Sequence, residues 1–73
     1  MESGVKRETN SCSINDVLPL EIGQSVSWPI VAYWRANGVR QRAEFKTFAA
    51  GDPRKYKLIS DKDNFCVTIT RTQ

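Results

Sequence analysis

Alternation of apolar and polar residues predicts three strands in this chain. Val26, Trp28 and Ile30 alternate with serines and Pro29, which predicts a half-buried strand over residues 24–30 that Pro29 ends or places at a sheet edge. Residues 55–60 and 65–71 are rich in the β-branched and aromatic residues typical of strands. The Asp- and Asn-rich stretch 61–64 between them predicts a hairpin turn.

The predicted hairpin has one apolar face. A four-residue turn pairs Ser60 with Phe65, Leu58 with Val67, and Tyr56 with Ile69. These pairs place Tyr56, Leu58, Val67 and Ile69 on the apolar face. The opposite face then holds Lys57, Ile59, Cys66, Thr68 and Thr70. Because an isolated hairpin is only marginally stable in water, another element must cover the apolar face.

A helix over residues 38–50 is the predicted cover. Asn37 is suited to its start and Gly51 to its end, with Pro53 just beyond. Its apolar residues fall on two arcs, Val39, Ala43 and Ala50 on one and Phe45, Phe48 and Ala49 on the other. Arg42 and Lys46 lie between the arcs, so we expect at least one phenylalanine to be exposed, or the stem of Lys46 to lie along the core edge.

The remaining segments set the domain boundaries. Residues 31–36 favour a loop, because Asn37-Gly38 is typical of a boundary, and a helix from residue 30 to 50 is the alternative. Residues 1–18 are polar and aperiodic, which predicts a disordered N-terminal arm. The predicted fold is therefore α+β, a single small βαββ domain over residues 19–73. We expect a three-stranded antiparallel sheet with one helix packed on one face.

Composition restricts the chemistry. The 73 residues include no histidine, so the commonest general base and the commonest transition-metal ligand are missing. The two cysteines, Cys12 and Cys66, form no metal-binding pair, and Asp61 and Asp63 lack the further oxygen ligands of a calcium loop. We expect no enzymatic activity, no cofactor, no metal and no small-molecule substrate.

The short length of the apolar runs predicts the cellular location of the protein. The longest spans residues 29–34, far short of the roughly 20 residues of a membrane-spanning helix. The N-terminus has no apolar stretch after its charges and therefore does not resemble a signal peptide. We expect a cytoplasmic protein that does not bind membranes, with both thiols free rather than joined in a disulfide.

Charge and aromatic residues concentrate in the middle of the chain. Residues 23–58 hold seven basic and two acidic residues, whereas residues 1–22 have a net charge of −2. An aromatic-plus-arginine cluster is typical of protein interfaces, which makes partner-binding candidates of Tyr33, Trp34, Arg35, Arg40 and Arg42. Candidates for nucleic-acid contact, as a basic stripe from helix to strand, are Lys46, Arg54, Lys55 and Lys57. A solvated basic face is the simpler interpretation. Trp28 is a core candidate, and Trp34 is either a core residue or a binding residue.

Short motifs in this chain resemble those of small phage-encoded βαββ proteins. Leu20-Glu21-Ile22-Gly23-Gln24-Ser25 followed by Trp28-Pro29 resembles their first strand. Tyr56-Lys57-Leu58 and Val67-Thr68-Ile69-Thr70-Arg71 resemble their closing hairpin, although the turn here has no glycine and no tryptophan precedes Arg71. The group includes an RNA-polymerase-binding antiterminator from a lytic phage of a plant-pathogenic bacterium.

The resemblance implies a regulator of transcription in a host bacterium. Such a protein binds host RNA polymerase at the β′ N-terminal region and the β flap, displaces sigma factor and suppresses intrinsic termination by steric exclusion. A Nus-type elongation factor and nascent RNA are further partners that it implies. The alternative is a direct DNA- or RNA-binding protein that uses the basic helix and the adjacent strand, with an affinity that falls steeply with salt.

Overall fold

A computed structural model describes residues 5–6 and 12–73 of the chain. In chain order the elements are β1 (Val5–Lys6), α1 (Ile14–Val17), β2 (Ser25–Pro29), a 3₁₀ helix (Ile30–Ala32), α2 (Tyr33–Ala49), β3 (Tyr56–Asp61) and β4 (Cys66–Arg71). The predicted α+β class is confirmed. Strands β2, β4 and β3 form a three-stranded antiparallel sheet with β4 in the centre, and β1 pairs in parallel with the outer edge of β2.

The core lies between one face of the sheet and α2. Trp28 is fully buried at its centre, as its place on the alternating strand predicted. The sheet contributes Val26, Trp28, Tyr56, Val67 and Ile69, and α2 contributes Ala36, Val39 and Ala43. The small helix residues let the helix backbone lie close to the large side chains of the sheet.

The β3–β4 hairpin has the predicted faces in a different register. Ser60 pairs with Val67 and Leu58 with Ile69, so β4 is displaced by two residues from the predicted pairing, and the turn spans residues 62–65. Because side chains alternate with period two, a shift of two residues leaves each one on its predicted face. The carboxylate of Asp61 accepts hydrogen bonds from Asn64 and from the backbone N–H of Asp63, which hold the turn and lower the pKa of Asp61.

The preferred prediction of a loop over residues 31–36 is wrong. The 3₁₀ helix leads directly into α2, so the alternative helix is close to the observed one, and Asn37 and Gly38 lie in its first two turns. The reason is tertiary: Ala32 and Ala36 are buried against the sheet on the same helix face as Val39. Burial of that face outweighs the local preference of Asn-Gly for a boundary.

The C-terminal end of α2 is the one the sequence predicts. Gly51 takes a left-handed conformation with φ 81°, which a glycine adopts without a steric penalty. Its N–H donates to the carbonyl of Phe48, and the N–H of Asp52 donates to that of Thr47, which together form a Schellman motif. Nearby, Glu44 accepts the N–H of Tyr56 at 2.9 Å and thereby ties α2 to the start of β3.

The predicted disordered arm extends too far along the chain. Cys12 and Val17 are buried in the core, so residues 12–18 belong to the folded domain. The other part of that prediction, residues 1–4 and 7–11, lies outside the described residues.

Three arginines hold this N-terminal segment through its backbone carbonyls. Arg35 Nε donates to the carbonyl of Cys12 at 2.9 Å, Arg54 Nη1 to that of Leu18 at 2.8 Å, and Arg71 Nη1 to that of Leu20 at 3.1 Å. These hydrogen bonds satisfy carbonyls that a four-residue helix and its flanks leave open. The segment is therefore ordered by residues far away in sequence.

Candidate protein-docking surface

A row of side chains runs along the solvent side of α2. It consists of Val31, Trp34, Gly38, Gln41, Phe45 and Phe48, and we call it the exposed row. The four large apolar members, Val31, Trp34, Phe45 and Phe48, are 75%, 79%, 73% and 70% exposed. The spacing of the row alternates between three and four residues, so at 100° per residue its five members in α2 lie within about 40° of Trp34 around the helix axis. Val31 precedes them in the 3₁₀ helix. This is the spacing with which one helix packs along another.

Trp34 is exposed and nevertheless held in place. Its ring meets that of Tyr33 edge to face, with centroids 5.1 Å apart and planes at 89°. Tyr33 itself packs against the core, so it gives the exposed indole a fixed support. The alternative prediction that Trp34 fills the core is wrong.

Gly38 occupies the middle of the exposed row and leaves a notch in it. A Cβ built at this position meets no atom of the described residues within 4 Å, so none of these residues requires a glycine there. Its conformation is helical, and no left-handed turn explains it either. The notch gives another chain close access to the helix backbone.

Beside the row lies a groove with a basic wall. Its volume is about 580 Å³, and its lining residues are Ile14, Gly38, Gln41, Arg42, Phe45 and Lys46. Phe45 and Ile14 supply apolar surface, and Arg42 and Lys46 supply two cations. The groove can therefore accept a ligand that is apolar on one side and acidic along one edge.

The five predicted partner-binding residues do not share one face. Trp34 lies in the exposed row, and Arg42 lies on its flank, exposed and in the groove. Arg35 is exposed at its end but is engaged with Cys12, and Tyr33 packs inward. Arg40 bonds along its own helix, from Nη2 to Asn37 at 3.0 Å and from Nη1 to Glu44 at 3.4 Å. The structure thus places Trp34 and Arg42 on one exposed surface, whereas the other three residues make contacts within the domain.

The four predicted nucleic-acid residues are not brought together as one stripe. Lys46 lines the groove on α2, whereas Lys57 lies on the sheet face opposite the helix. Arg54 bonds to Asp52 at 2.9 Å and to Leu18, so its guanidinium is occupied within the domain. Lys55 is exposed just before β3, where its backbone pairs with residues at the C-terminus.

Phe45 and Phe48 belong to the exposed row but are not among the candidate residues predicted from the sequence. Their signal was the second apolar arc of the predicted helix, which led us to expect at least one exposed phenylalanine. Both are exposed. Because the predicted helix begins at residue 38, its second apolar arc does not include Trp34 and Val31. The sequence alone therefore does not show that the exposed row is one surface.

No group of three or more potential metal ligands occurs in the described part of the chain. Both cysteines are free, with Cys12 buried and Cys66 half-buried. No described helix combines the length and apolar character needed to cross a membrane.

Comparisons with protein-family models, with curated proteins and with solved structures give no match to this chain.

Proposed function

We propose that this protein is a small regulator that acts by docking on another protein through the exposed row. The observation that supports the proposal most is the four large apolar side chains of the row, each at least 70% exposed on one helix face. Large apolar side chains aligned along one exposed surface of a small domain are a common mark of an interaction site. Trp34 has the residue type most enriched among binding hot spots, and its support by Tyr33 reduces the entropy lost on binding.

Steric exclusion is the mode of action that this architecture fits. A stable interface needs about 800 Å² from each partner, an area that a 73-residue domain can supply from one face. The specific partner we propose, from the resemblance of the first strand and the hairpin, is the RNA polymerase of a bacterial host. Docking there inhibits initiation by displacing sigma factor and suppresses intrinsic termination.

The test is affinity capture with the tagged full chain from a bacterial lysate, with nuclease and about 0.3 M salt to suppress phosphate contacts. The expected result is stoichiometric β, β′ and α subunits with sigma factor depleted. Phe45→Asp should abolish the capture, because it puts a charge into the row. Ile22→Asp, which puts the same charge on another exposed apolar residue, should leave it intact.

Two results would contradict the proposal. Recovery of nucleic acid without nuclease, and of no protein with it, would favour the direct nucleic-acid-binding alternative. If Phe45→Asp captured polymerase as well as the wild type does, polymerase would still be the partner. The exposed row would then not be part of the interface.

A further inference from the structure

We infer that the exposed row and its groove bind an acidic amphipathic helix of the partner protein. The inference rests on the proposed docking function and adds the chemistry of the segment that is bound. It depends on three features of one surface: the helical spacing of the row, the notch at Gly38 and the charge along one flank.

The spacing of the row fits a helix as the occupant. Alternating steps of three and four residues, from Val31 to Phe48, form a straight seam that a second helix can follow with its own apolar stripe. A globular surface without a ridge would contact only part of this line. The groove between α1 and α2 lies along the middle of this seam, since Gly38, Gln41 and Phe45 belong to both.

Gly38 fits the close approach of that helix. The glycine opens a notch between Trp34 and Phe45, into which a side chain of the occupant can pack. Small residues at the crossing point of two helices let the backbones approach closely. This gives the glycine a role that its contacts with the described residues do not supply.

Charge favours an acidic occupant over a second copy of this chain in an antiparallel pair. Arg42 and Lys46 are exposed along the groove, and Arg35 lies on the same flank of α2. In an antiparallel two-fold pair of α2 helices, each flank meets the same flank of the other copy, so these cations would face one another. An occupant with Glu or Asp along that edge instead meets them with opposite charge.

The test uses two synthetic helical peptides of about 21 residues, three heptads each, which share a leucine seam and contain no tryptophan. One carries glutamates beside the seam and the other carries lysines. Binding is followed through the emission of Trp34, which is exposed in the free protein. We expect the acidic peptide to bind about 10-fold more tightly than the basic one at low salt, since two charge pairs change sign between them.

Variants locate the effect. Arg42→Gln with Lys46→Gln should reduce the preference to about threefold or less, while the control pair Lys55→Gln with Lys57→Gln should leave it unchanged. Gly38→Leu, which fills the notch, should weaken the acidic peptide about 10-fold. Its circular dichroism spectrum should match the wild type, because an added Cβ meets no described atom within 4 Å and leucine favours a helix more than glycine does.

Each contrary outcome has a definite meaning. Equal affinity for the two peptides, or wild-type affinity in Gly38→Leu, would overturn the acidic-helix inference while capture of polymerase by the row could still succeed. A dimer in sedimentation that Phe45→Asp dissociates, with no binding of either peptide, would make a second copy the occupant. Binding only to anionic vesicles, lost in Phe45→Asp, would make the row a lipid contact.

Discussion

Gly38 shows how one residue can conflict with the element that contains it. Glycine in a helix interior costs about 1 kcal/mol relative to alanine, because it loses more backbone freedom on folding. Gly51 at the other end of the same helix is different, since its φ of 81° suits glycine and strains other residues. The two positions therefore form a matched pair: glycine only costs stability at Gly38, whereas the backbone conformation favours glycine at Gly51.

Gly38→Ala should stabilise the isolated protein by about 0.5–1 kcal/mol, because the new methyl group meets nothing within 4 Å and the unfolded chain loses entropy. Urea unfolding followed by circular dichroism measures the change. The control, Gly51→Ala, should lose about 1 kcal/mol. A loss of stability in Gly38→Ala would mean that the glycine serves the fold, and the case for a binding role at the notch would weaken.

Among the elements, the β3–β4 hairpin holds an unusual residue at the end of its turn. Phe65 has φ 52°, a left-handed conformation that non-glycine residues adopt at a cost, and its ring is 71% exposed. Its carbonyl accepts the N–H of Ile30 at 2.8 Å, so the strained residue also links the hairpin to the start of the 3₁₀ helix.

Phe65→Gly should stabilise the protein by about 0.5–1 kcal/mol, because relief of the left-handed strain exceeds the extra entropy of an unfolded glycine. Phe65→Ala is the control, since it removes the same exposed ring and keeps a Cβ at positive φ. Thermal and urea unfolding should place Phe65→Ala within about 0.5 kcal/mol of wild type. Equal gains in both variants would assign the effect to the ring instead of the backbone.

The segment around α1 is ordered, although the sequence predicts disorder there. Val17→Ala should cost about 2 kcal/mol, because it removes two methyl groups from a fully buried position and leaves a cavity. Val31→Ala makes the same chemical change at a position 75% exposed and should stay within about 0.5 kcal/mol of wild type. If the two valines gave equal, small effects in urea unfolding, residues 12–18 would not belong to the cooperative domain.

The fold was predictable where the pattern is local. Alternation in β2, β3 and β4 fixed the inward faces, and Gly51 with Pro53 fixed the end of α2. The hairpin register was not predictable from the faces, because pairings two residues apart bury the same side chains. The order of residues 12–20 depends on Arg35, Arg54 and Arg71, which are remote in sequence. For the candidate docking surface, the sequence predicts Trp34 as a binding residue. The exposed row as a whole can be recognised only when the start of α2 is known.

At the scale of the whole molecule, large apolar side chains are divided between a small core and the surface, where four of the seven exposed ones among the described residues belong to the exposed row. All three phenylalanines are at least 70% exposed, although phenylalanine is among the residues most often buried in proteins. The core instead uses Trp28, small helix residues and β-branched strand residues. A small core of this kind makes global stability sensitive to each buried group, including one buried group whose pKa the fold raises.

That group is the Cys12 thiol. Burial, with Asp16 nearby, raises its pKa above the ordinary value of 9.0, since both disfavour the thiolate. The folded protein therefore keeps the proton at a pH where the unfolded chain has begun to release it. The contribution of the thiol to stability is complete below pH 9.0 and is lost as the pH rises through the folded pKa.

The free energy of unfolding of the wild type should consequently fall with pH above 9.0 more steeply than that of Cys12→Ala. Urea unfolding at a series of pH values measures both slopes. The comparison uses slopes because the alanine variant also loses packing and is less stable at every pH. Below about pH 8 the two curves should run parallel, since the thiol is protonated in both folded and unfolded chains. Parallel curves through pH 10 as well would mean that the Cys12 thiolate is tolerated in the folded state, and the N-terminal segment would then open to water without unfolding the domain.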